Sequence, residues 1–521
     1  MKSKHIEIMS SALSRGDFNA VVNQFEAVRK PSGEHFRLLG DALVGLGQYE
    51  QGVAALDIAA HNGDCASNID SAKVRRIQCD FGDSAVRLLR ARQPGCVTSR
   101  RDLARLTTQE GYLELFIGSL DRSLGCFSDA LLLLSEVAQN DPARTDTDFA
   151  LGLGLLWAGR IRESETHLHA CLTDSRVTMT VRAWSLLALA AAYRGNEPDA
   201  DYRLTRARNI LLDQYTTPAA ICVEFITGMV CRMNGEHVSA TAAFGRAFSA
   251  ALTSRDTTFT VLAGTYYGLG MLRTGRLDEA LELSGRVWRI VSSLELPFGS
   301  LLDGYVRWLR GATSMSLGHW REAVTDLAEA QSVFRSHGRP VEEAGVTLHI
   351  FYLAGRLDDS RARQAAAFSL MQQARSVELL PLTARELRAL PDLIRSLTAD
   401  GTGLPEPFGA MLEYLADFPS RAPTVISINE ITGTISVNGR VLSLSVDAGY
   451  LFRFLLKSGG SVTVGDLDLL MSRGALTGAL AEMSVLRLPI RATETALYFV
   501  RQGTVVFVVN DLGEESRILL V

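Results

Sequence analysis

The sequence predicts a mostly α-helical protein, a long solenoid of helix–turn–helix repeats followed by a small α+β domain. Three observations predict it. Short amphipathic helices joined at glycine recur in one register from residue 16 to residue 367. The pattern breaks in a stretch rich in proline and glycine, and after Pro423 strand-like and helix-like segments mix. The composition, 47% hydrophobic and 21% charged, is that of a folded chain rather than a disordered one. These signals set the domain limits at 1–397 for the repeats, 398–422 for a linker with one short helix over 408–417, and 423–521 for the small domain.

The repeat is clearest from Trp184 to Leu212. Trp184, Leu187, Ala188 and Ala191 share one helix face, and Ala200, Leu204 and Ala207 share another, with a turn at Gly195-Asn196. Spacings of three, four and seven mark buried helical stripes. Small residues at Ala188, Ala200 and Ala207 let two helices approach closely, where a larger side chain would overpack. Taking the turn glycine as origin, the same pattern recurs at Gly16, Gly47, Gly125, Gly159, Gly195, Gly235, Gly275, Gly318 and Gly355. Five and twelve residues later the positions are mostly small, and nine residues later mostly bulky. The long gap from Gly47 to Gly125 is expected to hold one irregular repeat around Gly82. This large–small pattern resembles the tetratricopeptide repeat (TPR), a helix–turn–helix unit of about 34 residues. The longer spacings resemble the sensor domains of bacterial transcription activators.

That resemblance implies a right-handed superhelix whose concave surface is lined by the first helix of each repeat. In the family's register the groove-facing positions are Phe149, Trp157, Arg182, Phe225, Arg232, Arg273, Tyr305, Trp308 and Tyr352. Aromatic and arginine side chains are the usual anchors of a binding surface. Arg182, Arg232 and Arg273 together would suit an acidic group or a peptide carboxylate. The expected ligand is a protein or peptide.

After Pro423, "VISINEITGTISVNGRVLSLS" alternates as strands with a turn at Asn438-Gly439. "DAGYLFRFLLKSGG" is an amphipathic helix, "SVTVGDLDLLMS" a short strand and a second helix, and "GALTGALAEMSVLRL" a third helix. "ALYFVRQGTVVFVVN" reads as a hairpin turning at residues 501–503. This order resembles the winged helix of response regulators, with "VRQGTVVFV" as the wing, and it implies that the third helix enters DNA. Arg473, Arg487, Arg491 and Arg501 are the candidate DNA contacts. Residues 423–521 nevertheless hold eight basic against nine acidic residues. DNA affinity depends largely on phosphate neutralisation. Either a homodimer combines small basic patches, or the domain serves protein contacts without DNA.

The remaining signals bound the chemistry. Net charge is −5 and only five of the 53 basic residues are lysine, the usage of a GC-rich, bacterial genome. None of the seven cysteines forms a C-x-x-C pair, which suggests buried free thiols in a reducing cytosol. No signal peptide or membrane span is evident, so a cytoplasmic protein is expected. There is no phosphate-binding G-x-x-x-x-G-K-[ST] loop, H-E-x-x-H or G-x-S-x-G. The expectation is a protein without catalytic residues, metal or cofactor. It is either a transcription regulator with a partner-binding superhelix or an interaction scaffold.

Overall fold

Most repeats turn on one residue held in the left-handed region, and the sequence usually places glycine there. Gly16, Gly47, Gly159, Gly235, Gly275 and Gly318 have φ between +74° and +82°. Glycine reaches this region without the Cβ penalty other residues meet. In this computed structural model the described residues are 4–374, apart from 98, 295 and 298, and discontinuous segments between 424 and 520. They fall into two compact units, Met1–Tyr193 with Glu197–Asp358, and Arg194–Asn196 with Asp359–Val521.

The first unit is a TPR-like α-solenoid. Its helices pair as α1 (Lys4–Ser14) with α2 (Phe18–Glu26), α3 (Gly33–Gly45) with α4 (Tyr49–His61), and α5 (Ser67–Ile77) with α6 (Phe81–Ala91). Next come α7 (Arg100–Ile117) with α8 (Leu120–Leu133), α9 (Pro142–Trp157) with α10 (Ile161–Ala170), and α11 (Val177–Tyr193) with α12 (Glu197–Asp213). Then follow α13 (Thr217–Met233) with α14 (His237–Ser254), α15 (Thr257–Arg273) with α16 (Leu277–Ser292), α17 (Leu301–Ser316) with α18 (Trp320–Ser336), and finally α19 (Pro340–Arg356).

One contact recurs inside the pairs. A Cβ added to Gly40, Gly111, Gly152, Gly228 or Gly311 would come within 2.6–2.9 Å of Leu56, Phe127, Leu168, Phe244 or Leu327, each sixteen residues on. A missing side chain on the first helix thus receives the bulky residue of the second. This fixes the true register and corrects two expected turns. Gly125 lies inside α8, and the turn is at Gly118, with Ser123, Phe127 and Ala130 fully buried behind it. The irregular repeat expected around Gly82 is the pair α5–α6, and it turns at Cys79, whose φ is +64°. Gly355 belongs to α19, and Asp358 takes the left-handed conformation instead.

The thiols also differ from expectation. Cys65 and Cys96, on the loops before α5 and before α7, form a disulfide with Cα atoms 5.4 Å apart. Cys79, Cys171 and Cys222 are buried free thiols, while Cys126 and Cys231 are free and partly exposed.

The superhelix winds tightly enough for its early repeats to meet its late ones. A Cβ on Gly47 would lie 3.3 Å from both Ser254 and Thr217. Gly338 abuts Leu120 in the same way. Consequently α11, α13, α15, α17 and α19 carry buried residues around most of their circumference. A helix apolar all round is one covered on every side.

In the second unit, α20 (Ser360–Ala374) precedes the expected linker 398–422, which lies outside the described residues. Further on are β1 (Thr424–Asn429), β2 (Ile435–Val437), β3 (Arg440–Leu442), α21 (Val446–Lys457), β4 (Ser461–Thr463) and α22 (Arg473–Val485). The last strands are β5 (Ile490–Ala492), β6 (Ala496–Phe499), β7 (Thr504–Val509) and β8 (Arg517–Leu520). The sheets run β3-β2-β1-β7-β8 and β4-β6-β5. The expected wing hairpin does not form, because β6 and β7 belong to different sheets. The sequence of β7, "TVVFVV", is apolar on both faces, which suits a central strand better than an exposed wing. It pairs in parallel with β1 and antiparallel with β8. Ala448, Leu451, Phe452 and Leu455 of α21 share a core with Ala479 and Met483 of α22.

Candidate functional site

Three groups of side chains meet inside the first unit, all carried mainly by first helices. The first is an ionic lane that crosses five consecutive repeats. Arg37 of α3 pairs with Asp41 at 3.6 Å and with Asp64 at 3.1 Å. Arg105 of α7 pairs with Asp70 of α5 at 2.6 Å and with Asp102 at 3.2 Å. Arg176, just before α11, pairs with Asp146 of α9 at 2.9 Å and with Asp174 at 2.6 Å. The lane is deep yet reached by solvent, since the side chains of Asp41 and Asp146 keep 29% and 33% exposure. Burial and the neighbouring Asp70 push the Asp41 carboxyl up to about 7, against Arg37, Arg105 and Lys73. Asp146 is held down despite its burial, because Arg176 and Lys73 outweigh the desolvation. Burial, reinforced by a like charge alongside, raises one carboxyl, and an adjacent guanidinium lowers the other. No sequence signal singled out this lane, since isolated charges on a helix read as a solvated face.

The second group is the seam where α4–α6 meet α13–α15. Asp256 caps α15 by accepting the Phe259 N–H at 2.9 Å, and it also accepts the Tyr49 hydroxyl at 3.4 Å. The Thr258 hydroxyl donates to the Ile77 carbonyl at 3.1 Å and lies 3.5 Å from the Cys79 sulfur. Burial raises the Asp256 carboxyl to about 6, opposed by the Phe259 N–H, Arg182 and Arg76. Burial also pushes the Cys79 thiol up to about 12, which makes it unreactive. The Arg76 guanidinium stands 4.3 Å from the Tyr112 ring, and that of Arg182 stands 4.5 Å from the Phe149 ring.

The third group holds most of the expected groove residues and buries them. Trp308 is fully buried between Tyr266, Phe334 and His349. Tyr305 is 1% exposed, donating to Glu342 at 2.6 Å and accepting from Arg339 at 2.7 Å. Arg339 in turn lies 3.8 Å over Trp157. Arg232 is buried with its guanidinium 5.2 Å from Tyr266. Phe225 packs edge-on to Phe244, Phe259 and Tyr266. Trp157, Arg182, Phe225, Arg273 and Tyr352 are half-buried. Burial, then Arg232, holds the His349 imidazole down at about 4. The expected anchors thus split. Tyr305, Trp308 and Arg232 pack between repeats, and Arg182 joins the seam beside Arg76, which the sequence reading did not single out.

In the second unit, Arg473 opens α22 and Arg491 falls in β5, whereas Arg487 and Arg501 lie outside the described residues. The solvent face of α22 is Gly474, Thr477, Gly478 and Ala481. Glu482 is turned back to accept the Ser445 N–H at 2.8 Å. Among the described residues no helix is long and apolar enough to cross a membrane. No group of three or more His, Cys, Asp or Glu among them could hold a metal ion.

No protein-family model and no curated protein matches the chain. Among solved structures it is similar to a Rap protein complexed with competence and sporulation factor, at 13% identity, covering 64% of this chain and 96% of that one, with a TM-score of 0.46. It is also similar to aspartyl phosphate phosphatase F from Bacillus subtilis, at 11% identity, 73% and 96% coverage and a TM-score of 0.41. A third similar structure is a signal-transduction ATPase with a tetratricopeptide-repeat sensor from Pyrococcus horikoshii. There the identity is 12%, coverage 76% and 65%, and the TM-score 0.38.

Proposed function

We propose that this chain is a non-enzymatic regulatory protein whose TPR-like superhelix binds a protein or peptide partner, and whose C-terminal α+β domain passes the bound state to transcription. The observation that carries the first half is the ionic lane from Arg37 to Arg176. Its charges alternate in sign along successive first helices and remain reachable by solvent. A packing core has no need of such a row, whereas a polar partner can be held in register by it. A charge swap tests this. Asp70→Arg and Arg105→Glu each break the pair, and the double variant restores it in reverse. The double variant should fold like the parent yet fail to bind the partner, identified by cross-linking and then measured as a purified protein. Unimpaired binding by the folded double variant removes the lane from the function.

A second reading, a scaffold that docks through its C-terminal domain without DNA, is supported by the outer face of α22. A reading helix needs side chains long enough to reach base edges. Gly474, Thr477, Gly478 and Ala481 offer none. DNA binding by the full chain across a salt series separates the two readings. A regulator that binds DNA gives a log–log slope of several units, and a scaffold gives no binding even at low salt.

A further inference from the structure

The seam contains more positive charge than the fold neutralises, two guanidiniums against the one carboxylate of Asp256. Arg76 is 8% exposed, and its Nε–H has no acceptor. Its guanidinium is sandwiched over Tyr112 at 4.3 Å and Phe116 at 5.9 Å. Burial disfavours its charge, and the nearby Arg182 disfavours it further. Among the described residues neither arginine forms an ion pair, and the contacts of both are aromatic rings and neutral groups. The charge of Asp256 acts on both arginines from a distance, but its carboxylate is committed to Tyr49 and to the start of α15 and serves two guanidiniums at once. A buried guanidinium without a counter-charge costs several kcal/mol, so folds ordinarily pair it. Arg182 and Tyr112 remain partly exposed, so solvent reaches this end of the lumen.

We propose that Arg76 and Arg182 form an oxyanion site inside the superhelix, which receives a carboxylate or phosphate group of the ligand. The inference rests on the lumen being the binding surface. The two guanidiniums supply a fork of N–H donors, and the rings of Tyr112, Phe116 and Phe149 fix their planes. A phosphate and a carboxylate share this chemistry, so the probe must distinguish them.

The test uses the full chain without any partner. Thermal unfolding is followed in glutarate, in inorganic phosphate and in chloride at matched ionic strength. At ten times its half-saturating concentration the preferred anion should raise the melting temperature by about 2 °C over chloride. The larger of the two responses assigns carboxylate or phosphate. Arg76→Met and Arg182→Met should each lose the response, and Arg289→Met, at an exposed position on α16, should keep it. Should one variant fail to fold, the wild-type response and the other variant still decide. Equal melting in all three anions, or an undiminished response in a folded Arg76→Met or Arg182→Met chain, overturns the site. That result would leave partner binding through the ionic lane standing, because the charge swap at Asp70 and Arg105 is scored with the partner and not with small anions.

Discussion

Asp41 carries the clearest pH signature of the lumen. Its folded-state pKa, about 7, lies above the ordinary carboxylate value, because burial and Asp70 favour the neutral form. The proton-bound form therefore stabilises the fold. That contribution is complete below about pH 4 and is lost as pH rises through 7. His349 acts in the opposite sense, since its pKa of about 4 makes its contribution present above 6.5 and lost as pH falls. The two windows overlap, so the informative quantity is a difference. The melting temperature of Asp41→Asn minus that of the parent should grow between pH 4 and pH 7, followed by circular dichroism. A constant difference would show that Asp41 keeps an ordinary carboxylate. Arg255 presents a backbone case. It ends α14 at φ +60° with an exposed side chain, in a conformation that costs most residues about 1 kcal/mol. Arg255→Gly should stabilise the chain by about 0.5–1 kcal/mol in urea titration. Neither residue was legible in the sequence. The charge of Asp41 resembles any solvated helix face, and the conformation of Arg255 depends on how α14 meets α15.

At the scale of elements, helices were legible and their pairing partly so. The frame anchored at Gly125 was two helical turns late, because a shift of seven residues keeps every side chain on nearly the same face. Periodicity cannot detect such a slip, but the fit of Phe127 against Gly111 can. Cys79 escaped notice because the turn position was expected to hold glycine. The bond between Cys65 and Cys96 was beyond the sequence, since the two cysteines sit in separate loops and only the stacking of α5 and α6 brings them together. That bond closes a loop of 31 residues around one repeat. Such closures contribute about 2–4 kcal/mol. Cys65→Ser should lose an amount of that order in chemical denaturation without reductant. With reductant the parent should fall to the level of the variant. Equal stability of both under oxidising conditions would mean that the bond does not tie the repeat in solution.

At the scale of the molecule, the repeat pattern tells which helix face is inward but not how tightly the superhelix closes. Closure depends on a small rotation at every repeat, summed over the array. This is why Trp308, Tyr305 and Arg232, correctly placed on first helices, end up covered by neighbouring turns rather than facing an open groove. The seam from Tyr49 and Cys79 to Asp256 and Thr258 is one of the ties between the early and late repeats. Its contacts are polar, and both Cys79 and Arg255 beside it carry left-handed backbone strain. Contacts of this kind belong to the low-stability end of a structure, where local opening is concentrated. Opening here would uncover Arg76 and Arg182. The 3.5 Å between the Cys79 sulfur and the Thr258 hydroxyl offers a direct lock. In Thr258→Cys, refolded from the denatured chain under oxidising conditions so that both thiols are reachable, the new thiol should bond to Cys79, so that two free thiols disappear from the count. Amide exchange across α4–α6 and the start of α15 should then slow by tenfold or more, and reductant should restore it. Unchanged exchange in the bonded protein would place the opening elsewhere, because a covalent seam cannot also be the part of the superhelix that gives way.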